Sequence, residues 1–199
     1  MTCLYVNQLH QGAILITKTG KDKNCVSSST VISNGVCTGA STADLGGATF
    51  KVTTDQAGTS QVPGSPVTTS NSTGTACIDG LAWATGGTTY YVFETSPPTG
   101  YSADPSNANP LAVTVIQNAK CSDANLASEA AAASFNDIPL TNLTIKASAV
   151  VPGATSSTIT CTNSSNAGIG NSPQSGDPAE VDASNLKPGT YTCTVVIDP

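Results

Sequence analysis

The sequence contains no arginine and is poor in charged and aromatic side chains. Its 199 residues are 10% charged and 5% aromatic, the basic residues are all lysines, and the formal net charge is −6. Such an acidic chain attracts phosphate groups weakly, so we expect it to bind neither nucleic acid nor an anionic membrane surface. The sequence also has no transmembrane run, so we expect no insertion into a membrane. His10 is the only histidine. A histidine-based metal site or a Ser-His catalytic pair therefore has no support, and we predict no metal and no cofactor.

Glycine, proline and cysteine are well represented. The sequence has 18 glycines, 12 prolines and 7 cysteines, and no Cys-x-x-Cys pair of the kind found in zinc or thiol-redox sites. This composition, rich in serine and threonine, predicts an all-β chain with many turns in an oxidising, extracellular compartment. The one helix-favouring run, residues 125–133, is short and has no apolar stripe, so we predict a loop or a single turn there.

The cysteines suggest three disulfides, although spacing alone does not fix their connectivity. The pairs favoured by neighbouring elements are Cys25 with Cys37, Cys77 with Cys121, and Cys161 with Cys193. Cys3 is left over. It pairs with an upstream cysteine if the chain continues a longer protein, and otherwise it is a free thiol or forms an intermolecular bridge.

A carboxylate interrupts an otherwise apolar strand near the middle of the chain. In residues 88–96, strand alternation places Glu94 on the same face as Tyr90 and Val92, while Tyr91 and Phe93 point the other way. If the face of Tyr90 looks inward, Glu94 is buried. A buried carboxylate either pairs with a base or keeps its proton.

Two further strands provide partners for this carboxylate. Alternation puts Lys18 on the face of Ile14 and Ile16, and it puts Asp137 on the face of Phe135. The same argument sends Asn136 to the opposite face. Lys18, Glu94 and Asp137 are therefore expected to meet in one core.

The order of these residues carries a resemblance to a known family. The motifs are Gly12-x-Ile14-x-Ile16-x-Lys18, Gly47-Ala48-Thr49-Phe50, Asp79-Gly80-Leu81, Tyr90-x-Val92-x-Glu94-x-x-x-Pro98-x-Gly100-Tyr101 and Asp137-Ile138-Pro139. They resemble the prealbumin-like, collagen-adhesin B-type (SpaA-like) domains of Gram-positive surface proteins and pilins, and we expect an actinobacterial source. The resemblance implies a prealbumin-like (reverse Ig-type) β-sandwich on the bacterial cell surface.

The resemblance also implies an intramolecular isopeptide bond. In such domains a first-strand lysine commonly bonds to an Asn or Asp on the last strand with the help of a Glu, which here implies Lys18, Asp137 and Glu94. Asn136 and Asn118 are alternative acceptors, and only strand parity favours Asp137 over Asn136. The other interpretation is an ordinary salt bridge between Lys18 and Asp137, with Glu94 at an edge.

Three segments are expected along the chain. Residues 1–11 resemble the terminal strand and linker of a preceding domain, with Asn7 at its acceptor position. Residues 12–140 form the prealbumin-like domain, and residues 141–199 form a small Ig-like β-sandwich with a polar loop at 163–177. Export and anchoring signals are expected elsewhere in a longer polypeptide.

Three functions are compatible with these features. The first is a structural stalk or pilin-like module whose only chemistry is its own cross-link, with upstream domains of the same polypeptide as partners. The second is an adhesin that binds a host or matrix ligand through polar loops at residues 56–72 or 163–177. The third is a secreted hydrolase or its glycan-binding appendage, which ranks last because no motif places a second carboxylate or a histidine for hydrolysis beside Glu94.

Overall fold

The structure is a computed structural model that describes residues 10–21, 31–33, 36–38, 42–147, 155–187 and 189–198. Contacts divide the chain into two compact units, one of residues 1–20 with 42–137 and the other of residues 21–41 with 138–199. The expected strand of a preceding domain, with Cys3 and Asn7, and the Cys25–Cys37 disulfide fall outside the residues whose side chains are described.

The described elements are strands with one helical turn. In chain order they are β1 Gln11–Lys21, β2 Val31–Ser33, β3 Val36–Thr38, β4 Thr42–Asp44, β5 Thr49–Thr53, β6 Val67–Thr68, β7 Thr75–Ala82, β8 Thr88–Ser96, β9 Tyr101–Ala103, β10 Leu111–Val115, α1 Leu126–Glu129, β11 Ala131–Pro139, β12 Thr141–Ala147, β13 Ser156–Asn163, β14 Gln174–Gly176, β15 Ala179–Leu186 and β16 Tyr191–Asp198. The all-β prediction is confirmed, and the helix-favouring run forms the single turn α1.

Two sheets build the first unit. One sheet has the order β4-β1-β11-β9, with β7 also paired to β1, and the other has the order β10-β8-β5-β6. Strands β1 and β11 run parallel, and their register sets Lys18 opposite Phe135 and Gly20 opposite Asp137. The first long strand of the unit therefore lies beside its last strand.

Alternating side chains from both sheets form the core of the first unit. The members of the core that flank the polar site are Ile14, Ile16, Phe50, Val52, Tyr90, Val92 and Phe135. Each occupies every second position of its strand, as expected when one face of a strand packs inward. The period-two pattern seen in the sequence is thus the pattern that separates core from surface.

Strands β12 to β16 of the second unit form a small two-sheet sandwich, and β2 pairs with β3 in a separate two-stranded sheet. Strand β12 pairs with β15, and β13 lies between β14 and β16. Its buried apolar cluster is Ile159, Cys161, Ile169, Ala179, Val181 and Ala183. The sequence placed residues 163–177 in a loop, but residues 174–176 form the short strand β14 on the edge of β13.

Two of the predicted disulfides are formed among the described residues. Cys77 on β7 is bonded to Cys121, at a sequence separation of 44 residues. Cys161 on β13 is bonded to its direct neighbour Cys193 on β16, at a separation of 32 residues. Each bond lies within one unit and links segments that are distant in sequence.

Candidate functional site

One lysine and two carboxyl groups meet inside the first unit. Lys18 Nζ lies 2.5 Å from Asp137 Oδ1 and 2.7 Å from Glu94 Oε1. The side chains of Lys18 and Asp137 are completely buried, and that of Glu94 is 2% exposed. The three residues that the sequence singled out are therefore in mutual contact and away from water.

Each sheet contributes to this cluster. Lys18 and Asp137 come from the neighbouring parallel strands β1 and β11, whereas Glu94 comes from β8 in the other sheet. The backbone of Lys18 is held on both sides, because its N–H donates to the carbonyl of Gly74 at 2.7 Å and its carbonyl accepts from the N–H of Leu45 at 2.9 Å. Strand parity points its side chain to the face of Ile14 and Ile16.

Two aromatic rings lie near the amino group of Lys18. The rings of Phe50 and Phe135 pack with centroids 4.9 Å apart. Lys18 Nζ lies 6.0 Å from the centroid of Phe50 and 5.9 Å from that of Phe135. Contacts with aromatic faces favour a cation weakly and supply no hydrogen-bond acceptor as strong as water. The polar atoms of the cluster consequently depend on one another.

No further hydrogen bonds satisfy these atoms among the described residues. Lys18 Nζ, Glu94 Oε1 and both carboxyl oxygens of Asp137 are buried with no partner beyond the two ion-pair contacts. Buried charges are normally stabilised by several well-oriented hydrogen bonds, and a charge without them is costly. If all three groups were ionised, their burial without further hydrogen bonds would destabilise the folded state.

Burial changes the protonation of both carboxyl groups. Desolvation raises the pKa of Glu94 above its ordinary value, and Lys18 opposes the rise while Asp137 adds to it. Desolvation also raises the pKa of Asp137, again against the influence of Lys18. One cation beside two carboxyl groups in an apolar core favours a neutral cluster that holds an additional proton. A carboxylic acid and the amino group of Lys18 are thus brought together.

The alternative acceptors lie elsewhere. Asn136 points to the opposite face of β11, where its side chain lies near the carboxylate of Asp104. Asn118 is exposed, and its Oδ1 accepts hydrogen bonds of 3.1 Å from Gln11 N–H and from Trp83 Nε1. In the described structure, only Asp137 of the three places a carbonyl-type group against Lys18 Nζ.

Sequence analysis did not identify two asparagines that hold the cluster from outside. Asn107 and Asn109 lie between β9 and β10, and their side chains bind the backbone of Asn136 and of Glu94. The sequence of their segment is typical of an ordinary polar turn. The one signal is the recurrence of asparagine at alternate positions after Asp104-Pro105.

The loops expected to bind a ligand are tied to their own backbone. Before the loop at 56–72, the Asp55 carboxylate accepts from the N–H groups of Thr59 at 3.1 Å and Ser60 at 2.6 Å, which lowers its pKa to about 2. In the loop at 163–177, Asn163 Oδ1 accepts from Ser165 and Ala167 N–H groups at 2.9 and 3.1 Å. These contacts explain how polar loops are ordered.

Neither a metal cluster nor a spanning helix is found in the described part of the chain. No three His, Cys, Asp or Glu side chains there are close enough to hold a metal ion. The helical residues described are also too few to cross a membrane. What the site offers chemically is the amino group of Lys18 in contact with two buried carboxyl groups.

Comparison with solved structures found pilins from several Gram-positive bacteria. The minor pilin GBS52 of Streptococcus agalactiae is 16% identical over 67% of this chain and 46% of that protein, with a TM-score of 0.43. The major pilin SpaD of Corynebacterium diphtheriae is 17% identical over 93% and 57%, with a TM-score of 0.43. The major pilin subunit BcpA of Bacillus cereus is 14% identical over 94% and 64%, with a TM-score of 0.46. The chain thus spans less than half of the streptococcal pilin.

Comparison with families gave a direct sequence match, whereas no curated protein matches the sequence. The matching family is the SpaA prealbumin-like fold domain, over residues 38–129. This range contains Glu94, and Lys18 and Asp137 lie on either side of it. The sheets built around residues 42–129 have the all-β architecture expected of that family. Residues 38–129 are thus similar to the SpaA prealbumin-like fold domain in sequence, and their described strands agree with that match.

Proposed function

We propose that this chain is a structural, pilin-like module of a bacterial surface protein, and that Lys18 and Asp137 form an intramolecular isopeptide bond assisted by Glu94. The observation that carries the proposal is the placement of Lys18 Nζ within 2.5 Å of Asp137 and 2.7 Å of Glu94 in a buried cluster. The family match supports the structural role. The module acts on no external substrate.

The reaction starts from the neutral form of the cluster. Lys18 is then an amine and both carboxyl groups carry protons, which burial favours for the two acids. Glu94 donates a hydrogen bond to the Asp137 carboxyl and makes its Cγ more electrophilic. Because the fold holds the amine against the carboxyl group, the reaction is intramolecular. The effective concentration of the amine is then many orders of magnitude higher than for two separate molecules in solution.

Bond formation balances with the loss of one water. The Nζ lone pair attacks Cγ of Asp137, a C–N bond forms, and one C–O bond breaks. The leaving oxygen takes its own proton and one proton from Nζ, which Glu94 relays, so that Glu94 ends protonated as it began. Two ionisable groups are replaced by an amide, and the cost of holding unsatisfied charges in the core is removed.

The bond would serve a mechanical purpose. Strands β1 and β11 are neighbours in space at the two ends of the first unit. A covalent link between them prevents tension from separating the first strand from the last. Such a property suits a protein that carries load outside the cell, in series with other domains or with pilin subunits, and two disulfides within the described residues fit an oxidising surface location.

Force spectroscopy on a single chain tests this role. Pulled from its termini, the wild-type protein should release no extension from the segment between residues 18 and 137, because the cross-link carries the force past it. The Lys18→Ala variant should release that length in addition. Equal extension of the two proteins would contradict a load-bearing bond. The disulfides are reduced in both samples, so that only the isopeptide differs.

A further inference from the structure

The loop between β9 and β10, residues 104–110, touches both sheets that supply the cluster. On one sheet, the side-chain amide of Asn109 forms two hydrogen bonds with the backbone of Glu94. Its Nδ2 donates to the Glu94 carbonyl, and its Oδ1 accepts from the Glu94 N–H, both at 3.1 Å. The backbone of Glu94 is therefore bound by the side chain of Asn109 as well as by a neighbouring strand.

Asn107 makes the same pair of contacts on the other sheet. Its Nδ2 donates to the carbonyl of Asn136 at 2.5 Å, and its Oδ1 accepts from the Asn136 N–H at 3.4 Å. Asn136 directly precedes Asp137. The main chain that carries the acceptor carboxyl is thus bound in the same way as the main chain that carries Glu94.

Both asparagines bind the backbone at places where the regular hydrogen bonding between strands stops or shifts. The ladder of β8 with β10 stops at Val92 and Leu111, two residues before Glu94. On the other edge of β8, the register with β5 shifts beside Glu94. Strand β9 ends at Ala103, before the loop reaches Asn136. A primary amide has the donor and acceptor of a peptide group, so each asparagine can replace the missing strand partner.

We propose that Asn107 and Asn109 are positioning residues for isopeptide formation, which fix Asp137 and Glu94 at reacting distance from Lys18 through their backbones. This inference rests on the proposed function. Neither asparagine touches a reacting atom, and neither donates or removes a proton in the reaction.

Two hydrogen bonds form a turn at the start of the loop. Asp104 Oδ1 accepts from the N–H of Ser106 at 2.8 Å, and the N–H of Asn107 donates to the Asp104 carbonyl at 3.0 Å. Because this turn fixes Asn107, and Asn109 follows two residues later, the loop sets the two backbones relative to each other. Asp137 and Glu94 come from different sheets, so their separation depends on such a connection.

The rate of cross-linking is the quantity that this role should control. The chain is synthesised in a short pulse, and the cross-linked fraction is followed over time by the intact mass of the reduced protein. Asn107→Ala and Asn109→Ala should form the bond about ten- to a hundredfold more slowly than the wild type, because small misplacements of reacting groups cost that much. Asn109 is exposed, so its variant should fold normally.

A matched control separates positioning from stability. Asn118→Ala removes an asparagine that also takes part in two hydrogen bonds in the same unit, both accepted by Oδ1, but lies away from the cluster. It should cross-link at the wild-type rate. Thermal unfolding of all three asparagine variants in a Lys18→Met background, where no bond can form, gives their effect on stability alone.

The outcomes distinguish this inference from the proposed function. Slow cross-linking in Asn109→Ala, with stability close to that of Asn118→Ala, supports the positioning role. Wild-type rates in both Asn107→Ala and Asn109→Ala would overturn that role and leave the bond itself intact. A wild-type chain that never loses water would overturn both.

Discussion

Lys18 and Asp137 lie side by side on parallel strands although they stand near opposite ends of the first unit's sequence, with Nζ and Oδ1 2.5 Å apart. A bond between the two side chains would close the chain from Lys18 to Asp137 into one covalent loop, which contains most of the first unit. On the chain-entropy model used for disulfides, a loop of this size restricts the unfolded chain by about 5 kcal/mol. A bond at this one contact would therefore raise the free energy of unfolding of the first unit.

Glu94→Gln separates proton transfer from packing. Glutamine has nearly the same shape as glutamate but cannot shuttle a proton, so we expect the variant to fold and to remain without the cross-link or to form it far more slowly. Its thermal unfolding temperature should fall toward that of Lys18→Ala, because both lack the covalent loop. Rapid cross-linking in Glu94→Gln, measured by intact mass, would show that Glu94 is not required.

Lys18→Met should make stability depend on pH in a definite direction. Burial raises the pKa of Glu94 above 4.5 and that of Asp137 above 3.8, and removing Lys18 removes the group that opposes both shifts. In the window above these ordinary values, the folded variant binds more protons than the unfolded chain. Its free energy of unfolding should therefore fall as pH rises from about 4 toward neutral.

Denaturant unfolding across this pH range checks that expectation. The control is the triple variant Lys18→Met, Glu94→Gln and Asp137→Asn, in which the cluster keeps no carboxyl group and the same pH dependence should vanish. Stability of Lys18→Met that increased with pH would mean that its buried carboxyl groups are stabilised as anions, contrary to this account.

Gly20→Ala should disturb the strand next to the acceptor. A Cβ on Gly20 would lie 2.5 Å from Leu45 Cδ1, 3.0 Å from Tyr101 Cε1 and 3.1 Å from the carbonyl oxygen of Asp137. Such crowding in a packed site usually costs about 1–3 kcal/mol. We expect a lower unfolding temperature and slower cross-linking. Gly47→Ala is a useful comparison, since no atom lies within 4 Å of its Cβ and any cost there comes from its positive φ.

The Cys161–Cys193 disulfide should matter most to the second unit. Its loop of 32 residues corresponds to about 4 kcal/mol of stabilisation on the chain-entropy model. The core of that unit is small, so the double variant Cys161→Ala and Cys193→Ala should lose protection there first, as measured by amide hydrogen exchange. The mass signature of the isopeptide should be unchanged. Loss of protection around Lys18 instead would contradict independent stabilisation of the two units.

The buried cluster could be predicted because its signal is local. On each of β1, β8 and β11, a polar residue occupies the position that strict alternation assigns to the core, and alternation is read from a few neighbouring residues. The burial of Lys18, Glu94 and Asp137 follows from that pattern. The pairs Cys77–Cys121 and Cys161–Cys193 follow from a different signal, the elements that neighbour each cysteine in the sequence.

The support around the cluster could not be predicted in this way. Asn109 binds a residue 15 positions away and Asn107 one 29 positions away, and nothing in a polar turn distinguishes such contacts from solvation. Strand β14 was missed because its three residues have no apolar alternation and pair only at the edge of β13. Both features depend on tertiary partners, which local periodicity does not encode.

The intact mass of the reduced wild-type protein, with Lys18→Ala, Glu94→Ala and Asp137→Asn beside it, tests the central claim most directly. We predict a deficit of one water in the wild type, no deficit in Lys18→Ala and Glu94→Ala, and a deficit of one ammonia in Asp137→Asn, which identifies the acceptor. Peptide mapping should then find the segments around residues 18 and 137 joined. A full sequence mass for the wild type would contradict the account and leave Lys18 and Asp137 as a buried salt bridge.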